Sequence, residues 1–75
     1  MSGERVLVSH TGDADVGALR TALQGAGAAT VEPVESLPDT LLATVDGSDV
    51  DAFVRRAAAL PGVRNAERDQ MRFTS

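Results

Sequence analysis

Few side chains in this sequence have the types and spacing that catalysis requires. Ser9 and His10 are adjacent, but a nucleophile and its base are defined by their geometry in space and not by adjacency in the chain. A single histidine at the predicted end of a strand is typical of a solvated loop residue. The sequence also contains no glycine-rich phosphate-binding loop. We therefore expect a protein that is not an enzyme.

Aspartates are concentrated where two helices are predicted to begin. A carboxylate at a helix N-terminus accepts hydrogen bonds from free backbone N–H groups and lies at the positive end of the helix dipole. Helix capping therefore explains these acids better than catalysis does, and the second group lacks the spacing of a calcium-binding EF-hand loop. The groups are Asp13 and Asp15, with Asp13 as the expected cap, and Asp46, Asp49 and Asp51, with Ser48 as the expected cap.

Composition excludes several classes of function. The chain has 75 residues, no cysteine and one histidine, so we expect no disulfide, no zinc site and no cofactor. The net charge is −4, every positive side chain is arginine and the two aromatic residues are phenylalanines. This profile argues against nucleic-acid binding, which needs a basic surface and aromatic platforms.

No apolar run has membrane-spanning length, so we expect no membrane partner. The first residues do not resemble a signal peptide. Localisation stays open: we expect the cytoplasm if the chain is complete, and secretion if a signal peptide has been removed.

Apolar periodicity predicts six elements in the order β-α-β-β-α-β. Short β-branched or alternating stretches predict strands at 5–9, 29–35, 40–46 and 63–67. Helical spacing predicts two amphipathic helices between the first and second and between the third and fourth strands. Their apolar stripes are Val16, Leu19, Leu23 and Ala26, followed by Val50, Phe53, Val54 and Ala57.

This order predicts an α+β, ferredoxin-like open-faced sandwich, in which two helices cover one face of a four-stranded antiparallel sheet. The first and third strands are central in that fold. Pro33 agrees with an edge position for the second strand, since proline cannot donate to a ladder. We expect a single domain over 1–75, with 70–75 as a free C-terminal tail.

Helices on one side leave the other face of the sheet uncovered. Alternation places Leu7 and Leu42 on that uncovered face, on the two central strands, as a candidate docking patch. Two alternatives stay open: a register shifted by one residue would exchange the faces, and isolated exposed leucines are common. The residues expected to face the helices are Val6, Val8, Leu41, Ala43 and Val45.

Other functions of this fold lack their required residues. A heavy-metal carrier needs a Cys-x-x-Cys pair, an RNA-recognition domain needs aromatic residues on the sheet face, and an acylphosphatase needs an arginine in a glycine-rich loop after the first strand. The sequence has none of these features. The function class that remains is a module that binds a protein or a small molecule.

The stretch LPGVRNAERD, at 60–69, resembles the end of a subtilisin propeptide, the inhibitor I9 family. The similarity lies in the spacing of Pro61, Val63, Glu67 and Asp69. The stretches 5–8 and 41–45 are similar to the first and third strands of that family. Because no protease domain follows in this sequence, we expect similarity to the free-standing members, which act as protease inhibitors, or to an excised propeptide.

The resemblance implies a binding mode. The sheet face of such a propeptide packs on two surface helices of a subtilisin-like serine protease, two acids cap those helices, and the tail enters the active-site cleft as a substrate does. It implies inhibition or chaperoning of the protease by a chain that is monomeric when free. The implied binding residues are Leu7, Leu42, Glu67, Asp69, Gln70, Met71, Arg72, Phe73, Thr74 and Ser75. Ser75 and Arg72 depart from the apolar residues that subtilisins favour, and Phe73 suits either pocket better, so the register of the tail stays open.

Two alternative functions are compatible with the same element order. An ACT-like regulatory module would dimerise through its sheet and bind a small ligand, such as an amino acid, near the acidic loop at 11–15. A general interaction domain of a larger assembly is the other possibility.

Overall fold

The order of the elements along the chain is β-α-β-β-α-β. The structure, a computed structural model, describes residues 3–68. The elements are β1 (Gly3–His10), α1 (Val16–Ala26), β2 (Ala28–Pro33), β3 (Thr40–Asp46), a 3₁₀ turn (Gly47–Asp49), α2 (Val50–Ala58) and β4 (Val63–Arg68).

The four strands form one antiparallel sheet in the order β2-β3-β1-β4. β1 and β3 are central, and β2, which ends at Pro33, is an edge strand. The predicted ferredoxin-like α+β fold is therefore confirmed, and so is the edge position of the proline-containing strand.

The core lies between the sheet and the two helices. All five strand residues predicted to face the helices are buried, which confirms the predicted assignment of the two faces. Phe53 and Leu23 are the largest fully buried side chains. The core cluster consists of Val6, Val8, Leu19, Leu23, Ala28, Val31, Leu41, Ala43, Val45, Val50, Phe53 and Ala57.

Both predicted helix caps are wrong. α1 is capped by Asp15, whose Oδ1 accepts a hydrogen bond from the Ala18 N–H at 3.2 Å, because the helix starts two residues later than a cap at Asp13 would require. Val16, predicted to belong to the apolar stripe, is the first residue of α1 and is 38% exposed, whereas the first buried residue of the helix is Leu19.

At the second helix, Ser48 is a donor and not a cap. Its N–H and Oγ–H both donate to Oδ1 of Asp46 at 3.0 Å, which closes the 3₁₀ turn before α2. These two hydrogen bonds hold the pKa of Asp46 below its ordinary value.

Two glycines at the end of α1 have opposite roles. Gly25 lies within the helix, and Gly27 is its C-terminal cap, at φ 130°. Only glycine adopts such a backbone conformation at little cost.

The same substitution at these two positions should therefore change stability in opposite directions. We expect Gly27→Ala to lower the free energy of unfolding by about 1–3 kcal/mol, because an alanine at this positive φ would have a strained backbone. We expect Gly25→Ala to raise it by about 0.5–1 kcal/mol, since an added Cβ has no neighbour within 4 Å. Urea denaturation followed by circular dichroism measures both, and equal effects would contradict the assigned cap.

Candidate docking face of the sheet

Within residues 3–68, no part of the chain covers the face of the sheet opposite the helices. Its side chains alternate with the buried ones along each strand. We call it the open face. Its residues are Arg5, Leu7 and Ser9 on β1, Thr40, Leu42 and Thr44 on β3, Thr30 and Glu32 on β2, and Asn65 and Glu67 on β4.

Leu7 and Leu42 lie at the centre of the open face and are direct partners across the two central strands. Side chains paired in this way have Cβ atoms about 4.5–5.5 Å apart. Both leucines are half-buried, although no helix covers them. The predicted adjacency of the two leucines is confirmed, and together they form one apolar contact area.

An acid flanks this apolar pair on each side. Glu67 on β4 pairs with Leu7, and Glu32 on β2 pairs with Leu42. The four residues form a line across the whole sheet, which we call the acid–leucine row: Glu32, Leu42, Leu7 and Glu67. The open face therefore has an apolar centre with a carboxylate at each edge.

The position of Glu32 depends on an irregularity that simple alternation does not show. Ala28 and Val31 both face the core, although they are three residues apart and period-2 alternation would put them on opposite faces. The register of β2 shifts between Ala28 and Thr30, which absorbs one residue and turns Glu32 to the open face. Once Val31 is known to be buried, alternation places Glu32 on the open face, but the sequence alone does not show whether Ala28 or Val31 sets the count.

Glu67 is the last of the predicted binding residues that the structure describes. It is exposed near the end of β4, and the next residue, Arg68, pairs with Glu4 on β1 at 3.6 Å and with Asp51 on α2 at 3.9 Å. These pairs are exposed and contribute little stability, but they tie the end of β4 to its neighbours. The other predicted binding residues, Asp69 and Gln70–Ser75, lie outside the described residues.

Ser9 and His10 lie on opposite faces of β1. Alternation puts Ser9 on the open face and His10 on the helix side, and His10 is only 6% exposed. The expectation of a solvated histidine is therefore wrong. The ring lies within hydrogen-bond distance of the next residue, with 2.9 Å between its Nδ1 and the carbonyl oxygen of Thr11, an acceptor for an Nδ1–H group.

A concave region, separate from the open face, lies beside the loop after β1. It is a groove of about 640 Å³ between the start of α1 and the turn before β4. Its walls are mostly small or apolar, and two carboxylates stand at its edge. The lining residues are Thr11, Asp13, Ala14, Asp15, Ala18, Leu19, Ala22, Leu60, Pro61 and Gly62.

Residues 3–68 contain no cluster of three or more metal-ligating side chains. Among the helices in that range, none is long and apolar enough to cross a membrane. Comparisons with protein-family models, with curated proteins and with solved structures gave no match.

Proposed function

We propose that this chain is a subtilisin-propeptide-like module that binds and inhibits, or chaperones, a subtilisin-type serine protease. The observation that carries the proposal is the uncovered Leu7–Leu42 pair in line with Glu67. An apolar area at the centre of an exposed sheet face is the kind of surface that another protein covers. The resemblance of 60–69 to the end of a propeptide names the class of partner.

The open face supplies the binding energy of this interaction. Covering two half-exposed leucines removes apolar surface from water, which contributes about 25 cal/mol per Å². Glu67, at the edge of the apolar pair, is placed to meet the free N–H groups at the N-terminus of a partner helix. Asp69 has the same role in the proposal.

The tail supplies inhibition. β4 delivers the chain to the edge of the open face, so that residues 70–75 follow directly from the docked strand. An extended segment binds a protease cleft by adding a strand to it, with main-chain hydrogen bonds for affinity. A substrate-like segment held by a separate docking surface leaves the cleft slowly, because dissociation requires release of both parts.

The test is inhibition of a panel of subtilisin-type proteases by the intact chain and by a chain ending at Asp69. We expect the intact chain to inhibit competitively and the shortened chain to bind without blocking the cleft. The control is a protease with the same catalytic triad on an unrelated fold. Absence of inhibition by the intact chain at high micromolar concentration would reject the proposed function.

The shortened chain should retain its fold. Within residues 3–68, every buried member of the core cluster precedes residue 58, and the proposal places 70–75 in the protease cleft. We expect its free energy of unfolding to stay within about 0.5 kcal/mol of that of the intact chain. A large loss of stability would place the tail in the core and not in a cleft.

An ACT-like ligand-binding module is the second candidate. The observation that favours it is the groove beside the loop at 11–15, where such modules bind their ligands. Its small apolar walls and acidic edge suit an amino acid with an aliphatic side chain and a free amino group. A stable dimer whose melting temperature rises with one amino acid would favour this function over protease binding.

A further inference from the structure

We infer that Glu32 is a second charged contact of the open face, which pairs with an arginine or lysine side chain of the protein partner. This inference rests on the proposed function and adds to the chemistry of the partner. It assigns a role to the β2 edge of the sheet, opposite the edge that carries Glu67 and the tail.

The geometry sets where the cationic group must be. Glu32 and Glu67 end the acid–leucine row on the two edge strands, separated by three strand-to-strand spacings. At about 4.8 Å per spacing, their Cα atoms are about 14 Å apart. A partner that covers the leucine pair and presents a helix N-terminus to Glu67 therefore faces a second carboxylate about 14 Å from the first.

Within residues 3–68, neither Glu32 nor Glu67 takes part in an ion pair. The ion pairs within residues 3–68 use other acids, namely Glu4, Asp49 and Asp51. Among the described residues, the open face carries one cationic side chain, Arg5, which lies in the next row, opposite Thr44. The acid–leucine row itself contains no positive charge.

A second copy of this chain is the wrong partner for this row. Read from either end, the row begins with an acid and has leucines at its centre. Two copies stacked with their leucine pairs in contact would place a carboxylate against a carboxylate at both edges, and like charges facing each other across an interface oppose binding. The row therefore favours a partner that has an apolar centre and positive edges.

We assign the cationic group at Glu32 to a side chain of the partner. Glu32, like Glu67, is exposed on an edge strand, at the rim of the contact area. Long arginine and lysine side chains reach such rim acids, and their contribution depends strongly on salt.

The decisive comparison is between Glu32→Gln and Glu35→Gln. Both remove one negative charge, but Glu35 lies in the turn after β2, outside the open face. We expect Glu32→Gln to weaken binding to a subtilisin-type protease about 3- to 10-fold in 50 mM NaCl and less in 500 mM. Glu35→Gln should stay within about 2-fold of the unchanged chain. Equal affinities of the two variants would overturn the inference.

A probe that contains no protease separates this inference from the proposed function. It is a synthetic amphipathic helix with a leucine stripe flanked by arginines, compared with the same peptide carrying glutamines. We expect the arginine peptide to shift the amide NMR signals of Leu42 and Thr30 at lower concentrations than the glutamine peptide. Glu32→Gln should reduce that difference, and the part that remains is the contribution of Glu67 at the other end of the row.

The two measurements distinguish a failure of the proposed function from a failure of the inferred Glu32 contact. A chain that binds the arginine peptide through Glu32 but no subtilisin-type protease would reject the proposed function and retain the charged contact. A chain that binds the protease with no effect of Glu32→Gln, or that binds both peptides equally, would reject the charged contact.

Discussion

Leu23→Ala should lower the free energy of unfolding by about 2–5 kcal/mol. Leu23 is fully buried between α1 and the sheet, in a cluster that contains a single aromatic residue, Phe53. The substitution removes apolar contacts and leaves a cavity that the helix cannot close without moving. A domain of this size has about 4–11 kcal/mol of stability at about 0.05–0.15 kcal/mol per residue, so the loss is a large fraction of the total.

Leu37→Ala is the matched control, because it makes the same chemical change at a leucine that is 44% exposed in the turn before β3. We expect it to change the free energy of unfolding by less than about 0.5 kcal/mol. Urea denaturation at one temperature measures both variants. A Leu23→Ala protein as stable as Leu37→Ala would mean that α1 is not packed on the sheet as described.

Replacing Leu7 and Leu42 together by threonine should weaken protease binding by about 2 kcal/mol or more, a factor of about 30. The two leucines are the apolar centre of the open face, where a binding interface concentrates its energy. Threonine is compatible with a strand and already occurs beside them at Thr44 and Thr30. The double variant should therefore remain folded, with a loss of stability below about 1 kcal/mol.

Leu37→Thr serves as the control, since it exchanges the same residue types outside the sheet. Inhibition constants and unfolding curves should be measured on both proteins. If the double variant is folded and still inhibits like the unchanged chain, the partner binds elsewhere on the molecule. The groove beside the loop at 11–15 would then be the stronger candidate.

Several features of the fold follow from local patterns in the chain. Alternation in 40–46 separates Leu42 from Leu41 and Ala43, because successive side chains of a strand point to opposite faces wherever the strand is placed. Pro33 marks an edge for an equally local reason, the missing N–H group. The order of strands and helices then leaves few topologies, since crossovers are right-handed and connections are short.

Helix starts and the burial of His10 were not predictable in this way. Asp13 and Asp15 have the same capping chemistry, and only the position of α1 against the core selects Asp15. His10 ends a strand in either description, but its burial, at 6% exposure, depends on the segments that surround the end of the strand. Its backbone N–H donates to the carbonyl oxygen of Asp39 at 2.9 Å.

The candidate site also has one part that the sequence predicts and one part that only the tertiary structure determines. Residue types and alternation place two leucines on the side of the sheet that the helices leave bare, because both properties belong to single strands. Pairing between strands is a property of three-dimensional contact, and it sets Leu7 against Leu42 and Glu67 against Leu7. The register shift in β2 places Glu32 in the same row. The shift allows Ala28 and Val31 to be buried in the same core, and core packing of this kind cannot be inferred from the periodicity of a single strand.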